Sequence, residues 1–133
     1  MSFWDRPPPP PTPLGRHRQL SSLAGVHVSP LCLGGGSVGY KWAKKGMGEM
    51  SRESSYGVLD TFYNAGGNFI DTAINYDDGE SERIIGEWME ERGVRDQMVI
   101  ATKVLYLLIL MPRGTPADSC CCSIHRLTGA MNP

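Results

Sequence analysis

Two short apolar runs, each closed by a polar residue, constrain the fold of this chain more than any other feature. Residues 68–70 run into Asp71, and residues 98–102 run into Lys103. A segment with helical spacing lies between them, and buried strands separated by a helix are typical of a βαβ unit with parallel strands. Asp71 and Lys103 are therefore expected at neighbouring strand ends, on the face where (β/α) barrels carry their active sites.

A tyrosine close to this pair would complete a set of groups for proton transfer. A tyrosine phenol titrates near pH ~10, and a nearby ammonium group stabilises its anion and lowers that value. We therefore expect Tyr76 to act as the general acid, with Lys103 tuning it and Asp71 orienting Lys103. Each residue also has an ordinary interpretation: a solvated lysine, a capping aspartate and a packing tyrosine.

Several stretches of the sequence resemble the aldo-keto reductase family, in its fungal branch of aryl-alcohol dehydrogenases and norsolorinic acid reductases. The stretches are residues 68–76, 79–82, 85–89 and 101–103. The resemblance implies a (β/α)8 TIM barrel and NADPH-dependent reduction of an aldehyde or ketone by an Asp, Tyr, Lys and His tetrad. Asp71, Tyr76 and Lys103 match three members of the tetrad. No stretch is predicted to be the strand that carries the family's histidine.

The family resemblance also suggests where the cofactor would bind. The cluster Gly34 to Ser37 lacks the G-x-G-x-x-G order of a dinucleotide fold, and a tight strand exit is one interpretation of it. By the resemblance, Gly35, Gly36, Ser37 and Asp71 approach the nicotinamide end of NADPH. The aromatic residues Tyr40 and Trp42 follow on a loop, where they either line a carbonyl pocket or pack on their own segment.

Length sets how much of a barrel the chain can form. A (β/α)8 barrel needs about 250 residues, and this chain has 133. We therefore expect an α/β fold that is a partial barrel, with a hairpin and about three βα units. The domain limits are a Pro-rich arm at 1–18, the amino-terminal part of an NADP-dependent oxidoreductase domain at 19–103, and a disordered tail at 104–133.

The tail contains three adjacent cysteines and does not resemble the family. It is either a read-through or frameshift artefact or the end of a genuine short isoform. The predicted function is accordingly that of a truncated carbonyl reductase, inactive as this fragment. The alternative is a catalytically inactive binding or regulatory module. A fragment of this kind is expected to be insoluble or molten alone and to bind NADPH poorly.

Periodicity places the remaining elements. A hairpin is predicted from residues 19–28 with its turn at Ala24 and Gly25, and a first barrel strand at 31–33 with Cys32 in the core. One helix begins after a Ser51 cap and ends at Gly66. A second begins near Ser81 and ends at Arg92. The buried faces are predicted to be Val58, Leu59, Phe62 and Tyr63 in the first helix and Ile84, Ile85, Trp88 and Met89 in the second.

Composition and charge exclude several classes of function. The chain is 41% hydrophobic and 20% charged with a net charge of −1, which favours a cytoplasmic protein that binds a small carbonyl or alcohol and neither nucleic acid nor membrane. Lys41, Lys44 and Lys45 are the nearest approach to a basic patch and are expected to be solvated. The acidic turn at 77–80 lacks the length and ligand order of a calcium loop, and no metal site is predicted. Oligomeric state is left open.

Overall fold

The computed structural model describes residues 8–46 and 48–103 and the backbone of 122–125. A hairpin is formed by β1 (Arg18–Ser21) and β2 (Ala24–Val28). It precedes a four-stranded sheet made of β3 (Leu33–Gly34), β4 (Phe69–Asp71), β5 (Val99–Lys103) and β6 (Cys122–His125). Two helices, α1 (Arg52–Asn64) and α2 (Glu80–Arg92), connect β3 to β4 and β4 to β5.

The sheet confirms the predicted βαβ arrangement. β3, β4 and β5 are adjacent and parallel, and Ile70 of β4 pairs with Leu33 on one side and Ile100 on the other. β6 pairs antiparallel with β5. These four residues are strand where disorder was predicted. The rest of the predicted tail lies outside the described residues, so disorder there stays a prediction.

Among the described strands, β3 has a neighbour on one side only, and the predictions for this strand were partly wrong. Pairing of β3 with β4 begins only at Leu33, so the first strand is shorter than the predicted 31–33. Leu31 is 67% exposed, and Cys32 is exposed rather than a core residue. An apolar run identifies a strand, but it does not tell whether a neighbouring strand covers its edge.

Helix α1 begins where predicted, and its buried face is rotated from the predicted one. The Ser51 hydroxyl accepts a hydrogen bond from the Ser54 N–H at 3.2 Å, which caps the helix. Leu59 is fully buried, together with Tyr56 one turn before it. Val58 is 42% exposed, contrary to prediction, because it lies about 100° around the helix from Leu59.

Helix α2 has the predicted buried face and forms the centre of the core. Trp88 and Ile84 have no exposed surface, and Ile85 and Met89 are buried beside them. The Trp88 ring meets the Tyr63 ring of α1 edge to face, with centroids 6.1 Å apart. The helix ends at Gly93, whose φ of 63° is the left-handed cap conformation that glycine favours.

The hairpin is attached to the sheet by Asn68, which directly precedes β4. Its side-chain oxygen accepts from the Ser29 N–H at 2.7 Å, and its amide nitrogen donates to the His27 carbonyl at 3.0 Å. The hairpin turn lies at residues 22–23 and not at Ala24 and Gly25, which belong to β2. In the part of the chain that the structure describes, no helix has both the length and the apolar character needed to cross a membrane.

Candidate active site

Asp71 and Lys103 meet at the carboxyl ends of β4 and β5, as predicted from the two apolar runs. Asp71 pairs with Ala101, so Lys103 extends two residues beyond it and its side chain reaches back. The Lys103 ammonium donates to Asp71 Oδ1 at 2.5 Å and to the Thr72 carbonyl oxygen at 2.8 Å. The side chains of Lys103 and Asp71 are 29% and 42% exposed, so the pair is half-buried and its lysine is not a freely solvated strand terminus.

Electrostatics keep Lys103 protonated. Partial burial lowers the pKa of the ammonium, but the hydrogen bond to Asp71 and the nearby Tyr76 phenol outweigh burial and raise the pKa above its ordinary value of 10.5. Lys103 is therefore a permanent cation at neutral pH. A cation in this position can stabilise a neighbouring anion.

Tyr76 lies beside this cation on the turn that follows β4. It opens a short 3-10 segment, Tyr76–Gly79, and its N–H donates to the Ala73 carbonyl at 3.0 Å. The Lys103 nitrogen lies 5.1 Å from the centroid of the Tyr76 ring, within cation–π range. The structure thus brings the three predicted catalytic residues together, while their catalytic roles stay predictions.

In the glycine cluster at the end of β3, Gly35 is used by the fold and Gly36 lies beside the site. The Gly35 N–H donates to the Asp71 carbonyl at 2.7 Å, and its carbonyl accepts from the Ser81 hydroxyl at 2.7 Å. A side chain at Gly35 would lie 3.1 Å from the Asp71 carbonyl, a tight contact that glycine avoids. Gly36 lies against the Tyr76 ring, at 3.7 Å from a Cβ placed there, and Ser37 is exposed beside it.

Sequence reasoning missed the role of the acidic turn formed by Asp77, Asp78 and Glu80. Its carboxylates bind the segment Lys41–Lys45, whose three lysines are exposed as expected. Trp42, from this segment, meets the Tyr76 ring edge to face with centroids 6.4 Å apart. The sequence shows one basic segment and a later acidic turn, but these charges do not by themselves identify the two as partners.

The strongest electrostatic feature of this turn is Glu80, at the start of α2. Its carboxylate binds the Arg83 guanidinium and, at 3.2 Å, the Lys41 ammonium. These partners, Arg83 first, overcome the effect of burial and lower the pKa of Glu80 to about 2. Among the described residues, no group of three or more His, Cys, Asp or Glu side chains converges as a metal site would require.

Similarity to known proteins agrees with this geometry. The model of the aldo/keto reductase family matches residues 30–126, which extends past Lys103, where the resemblance noted from the sequence ends. An aryl-alcohol dehydrogenase of Phanerodontia chrysosporium, named as using NADP+, is 62% identical over 103 residues, covering 77% of this chain and 27% of that protein. A norsolorinic acid reductase of Aspergillus flavus is 58% identical over 96 residues, covering 72% and 24%.

A solved structure gives the same fold. A putative aldo-keto reductase from Pseudomonas aeruginosa superposes with a TM-score of 0.56 at 33% identity, over 70% of this chain and 32% of that one. The chain therefore spans about a quarter of the length of the two fungal relatives and a third of the solved structure.

Proposed function

Because the chain belongs to the aldo/keto reductase family, we propose that it carries the proton-donating part of an NADPH-dependent carbonyl reductase. The observation that supports this most directly is the Lys103 ammonium, bonded to Asp71 and 5.1 Å from the Tyr76 ring at the strand ends. The substrate class is an aldehyde or ketone, or the alcohol in reverse. The name of the Phanerodontia relative favours aryl alcohols and NADP+ for it.

In the proposed reaction, Tyr76 donates its phenolic proton to the carbonyl oxygen as negative charge develops there. The cofactor, when bound, supplies the hydride. The phenolate left behind lies close to the Lys103 ammonium, which stabilises it by charge. General acid catalysis by a positioned group contributes typically about 10² to 10⁴-fold to a rate, so the phenol is the residue expected to carry most of the effect.

Asp71 and the Thr72 carbonyl hold the ammonium in place. Two acceptors, at 2.5 and 2.8 Å, use two of its three N–H donors. The third donor is left for the phenolate or for solvent. The lysine therefore has a fixed position and a remaining hydrogen bond to give.

The residues present fit the nicotinamide end of the cofactor at Gly36, Ser37 and Asp71. Gly36 presents backbone without a side chain against the Tyr76 ring, and the Ser37 side chain is exposed. Gly35 has both backbone polar groups engaged in the fold, so its contribution is to shape the turn. We propose that the reaction takes place in the cytoplasm, the location that the sequence composition favours.

A second candidate function is that of a catalytically inactive binding or regulatory module. It is favoured by the direction of β6, which runs antiparallel to β5 and pairs His125 with Ile100. The backbone of His125 is thereby placed near the start of β5, away from the end that carries Lys103. This arrangement does not match a parallel strand that would deliver a histidine beside Tyr76.

The two functions are separated by an activity assay on the 133-residue chain and on a hybrid protein. In the hybrid, residues 14–103 replace the matching segment of the Phanerodontia dehydrogenase. We expect aldehyde-dependent oxidation of NADPH by the hybrid, because it contains the whole family domain with these catalytic residues. Activity of the chain alone would exclude the inactive module. A folded hybrid without activity would contradict the proposed catalytic roles.

A further inference from the structure

Among the described residues, a buried carboxylate next to the proposed acid has backbone N–H groups as its hydrogen-bond donors. Asp77 is 3% exposed. Its Oδ2 accepts from the N–H groups of Tyr40 at 2.8 Å and Lys41 at 3.0 Å, and its Oδ1 accepts from the N–H of Trp42 at 2.6 Å. These donors lie at the start of the segment Lys41–Lys45, so the carboxylate fixes the backbone of that segment by charge-assisted hydrogen bonds.

The backbone conformation that places this carboxylate is a costly one. Asp77 and Asp78 are consecutive non-glycine residues in the left-handed region, with φ of 51° and 56°. On the other side, Gly39 has a φ of 124°, and a Cβ there would lie 2.1 Å from Asp77 Oδ2. Strain of this kind persists only where the surroundings hold it, and it is commonly found at functional sites.

Further contacts hold the same segment from the acidic turn. The Trp42 indole N–H donates to Asp78 Oδ1 at 3.0 Å, and the Lys45 ammonium lies 3.5 Å from the same oxygen. Lys41 forms an ion pair with Glu80 at 3.2 Å. The ring of Trp42 is therefore fixed through its backbone and through its indole nitrogen.

The turn that holds Trp42 is the turn that carries Tyr76. Because Asp77 directly follows Tyr76 in the sequence, it links the position of the Trp42 backbone to that of the Tyr76 phenol. The Trp42 and Tyr76 rings are edge to face at 73°. Gly36, Trp42 and Lys103 are all neighbours of the Tyr76 ring, and the tryptophan belongs to a short 3-10 segment.

We propose that Asp77 is a positioning residue, which holds Trp42 against Tyr76 and thereby fixes the width of the space where a carbonyl substrate would approach the phenol. The expected effect on substrate binding rests on the proposed reductase function, whereas the placement of Trp42 by Asp77 is independent of that function. Asp77 touches no reacting atom, so its loss is expected to affect substrate binding more than the chemical step.

The placement is tested on the folded hybrid protein by amide hydrogen exchange and by nuclear Overhauser contacts between the two rings. Asp77→Asn keeps the size of the side chain but replaces one carboxylate oxygen with an NH2 group. That group cannot accept hydrogen bonds from the backbone N–H groups that face it. We expect the amides of Tyr40, Lys41 and Trp42 to exchange at least about tenfold faster, and the ring contact to weaken, because a charge-assisted bond is lost. The control Asp96→Asn removes an equal charge at an exposed position and should change neither.

The consequence for substrate is tested by steady-state kinetics in the assay described above. Asp77→Asn should raise KM for an aromatic aldehyde by about 3 to 30-fold with kcat changed less than about threefold, since uniform binding is lost and the acid is retained. Unchanged exchange rates overturn the proposal. So does faster exchange with unchanged KM, or a fall in kcat at constant KM.

Two outcomes require an additional experiment. If circular dichroism shows that Asp77→Asn does not fold, Asp78→Asn takes its place, because it removes only the indole and Lys45 contacts. It should raise KM by a smaller factor, and an unchanged KM overturns the proposal.

If the unmodified protein and the hybrid reduce no aldehyde, the proposed function fails by itself. Asp77 is then decided by exchange alone, where retained protection in Asp77→Asn overturns its role.

Discussion

Two aspartate–cation pairs in this molecule are similarly half-buried but have different hydrogen-bond partners. Between the helices, Asp60 of α1 accepts two bonds from the Arg92 guanidinium, both at 2.9 Å, and a third from the Trp88 indole at 2.8 Å. At the strand ends, Asp71 accepts one bond from the Lys103 ammonium, which also donates to a backbone carbonyl.

The difference lies in how completely each pair is satisfied. The planar fork of Arg92 and the indole of Trp88 fix Asp60 in one geometry and lower its pKa to about 2, with the Arg92 bond as the larger cause. Lys103 is a compact charge with a donor to spare, 5.1 Å from the ring of a tyrosine. A saturated pair holds two helices together, whereas an unsaturated pair can respond to charge that forms beside it.

The sharpest test of this contrast is removal of the phenol beside the unsaturated pair. In a protein with reductase activity, such as the hybrid, Tyr76→Phe should reduce turnover by about 10² to 10⁴-fold while leaving the fold intact, because the general acid is lost. Turnover is measured with an aldehyde and NADPH. Tyr63→Phe is the matched control, since that hydroxyl donates to the side chain of Gln97 on the surface, away from the strand ends. A loss below tenfold for Tyr76→Phe would argue against its role.

Within the helical pair, the largest effect is expected from Trp88. Trp88→Ala should lower the free energy of unfolding by about 3 to 5 kcal/mol, because a fully buried ring leaves a cavity and Asp60 loses a donor. Urea unfolding of the folded hybrid measures this change. Val58→Ala, at an exposed position of α1, should change stability by less than about 0.5 kcal/mol. Equal effects of the two would place the core elsewhere.

Replacing the cation of each pair should separate their roles. Lys103→Met should lower the reductase rate and change its dependence on pH, because the ammonium no longer stabilises the phenolate. Arg92→Met should lower stability without moving the pH profile. The profile of kcat from neutral to alkaline pH decides between them, and an unchanged profile in Lys103→Met removes that residue from its proposed role.

The smallest expected effect is the acid sensitivity of the helical pair. The folded pKa of Asp60, about 2, lies below its ordinary value of 3.8. The pair therefore stabilises the fold fully above pH 3.8, and this contribution is lost as the pH falls toward 2. Asp60→Asn should flatten the decline of unfolding free energy over that window. Glu80, whose pKa is also about 2, keeps part of the decline in place, so a variant that matches the parent at every pH would contradict this assignment.

Local sequence patterns were sufficient to predict the two helices, the βαβ arrangement and the proximity of Asp71 and Lys103. The spacing of Ile84, Ile85, Trp88 and Met89 predicted the buried face of α2, because a helix repeats every 3.6 residues. The fold and family predicted from the sequence are likewise confirmed. The exposed positions of Val58 and Cys32 were missed. In each case the error was about which neighbour covers a residue, and an apolar side chain carries no information about that neighbour.

The sequence by itself determined that Asp71 and Lys103 would meet, because two parallel strands in register bring their carboxyl ends to one edge. Only the tertiary structure decided what lies around them. Asp77 binds backbone groups 35 to 37 residues away. Its partners are N–H groups that every residue except proline carries, so no residue type in the sequence marks them. Short-range periodicity specifies elements, whereas the bonds that position a side chain at the site form between loops that the fold alone brings together.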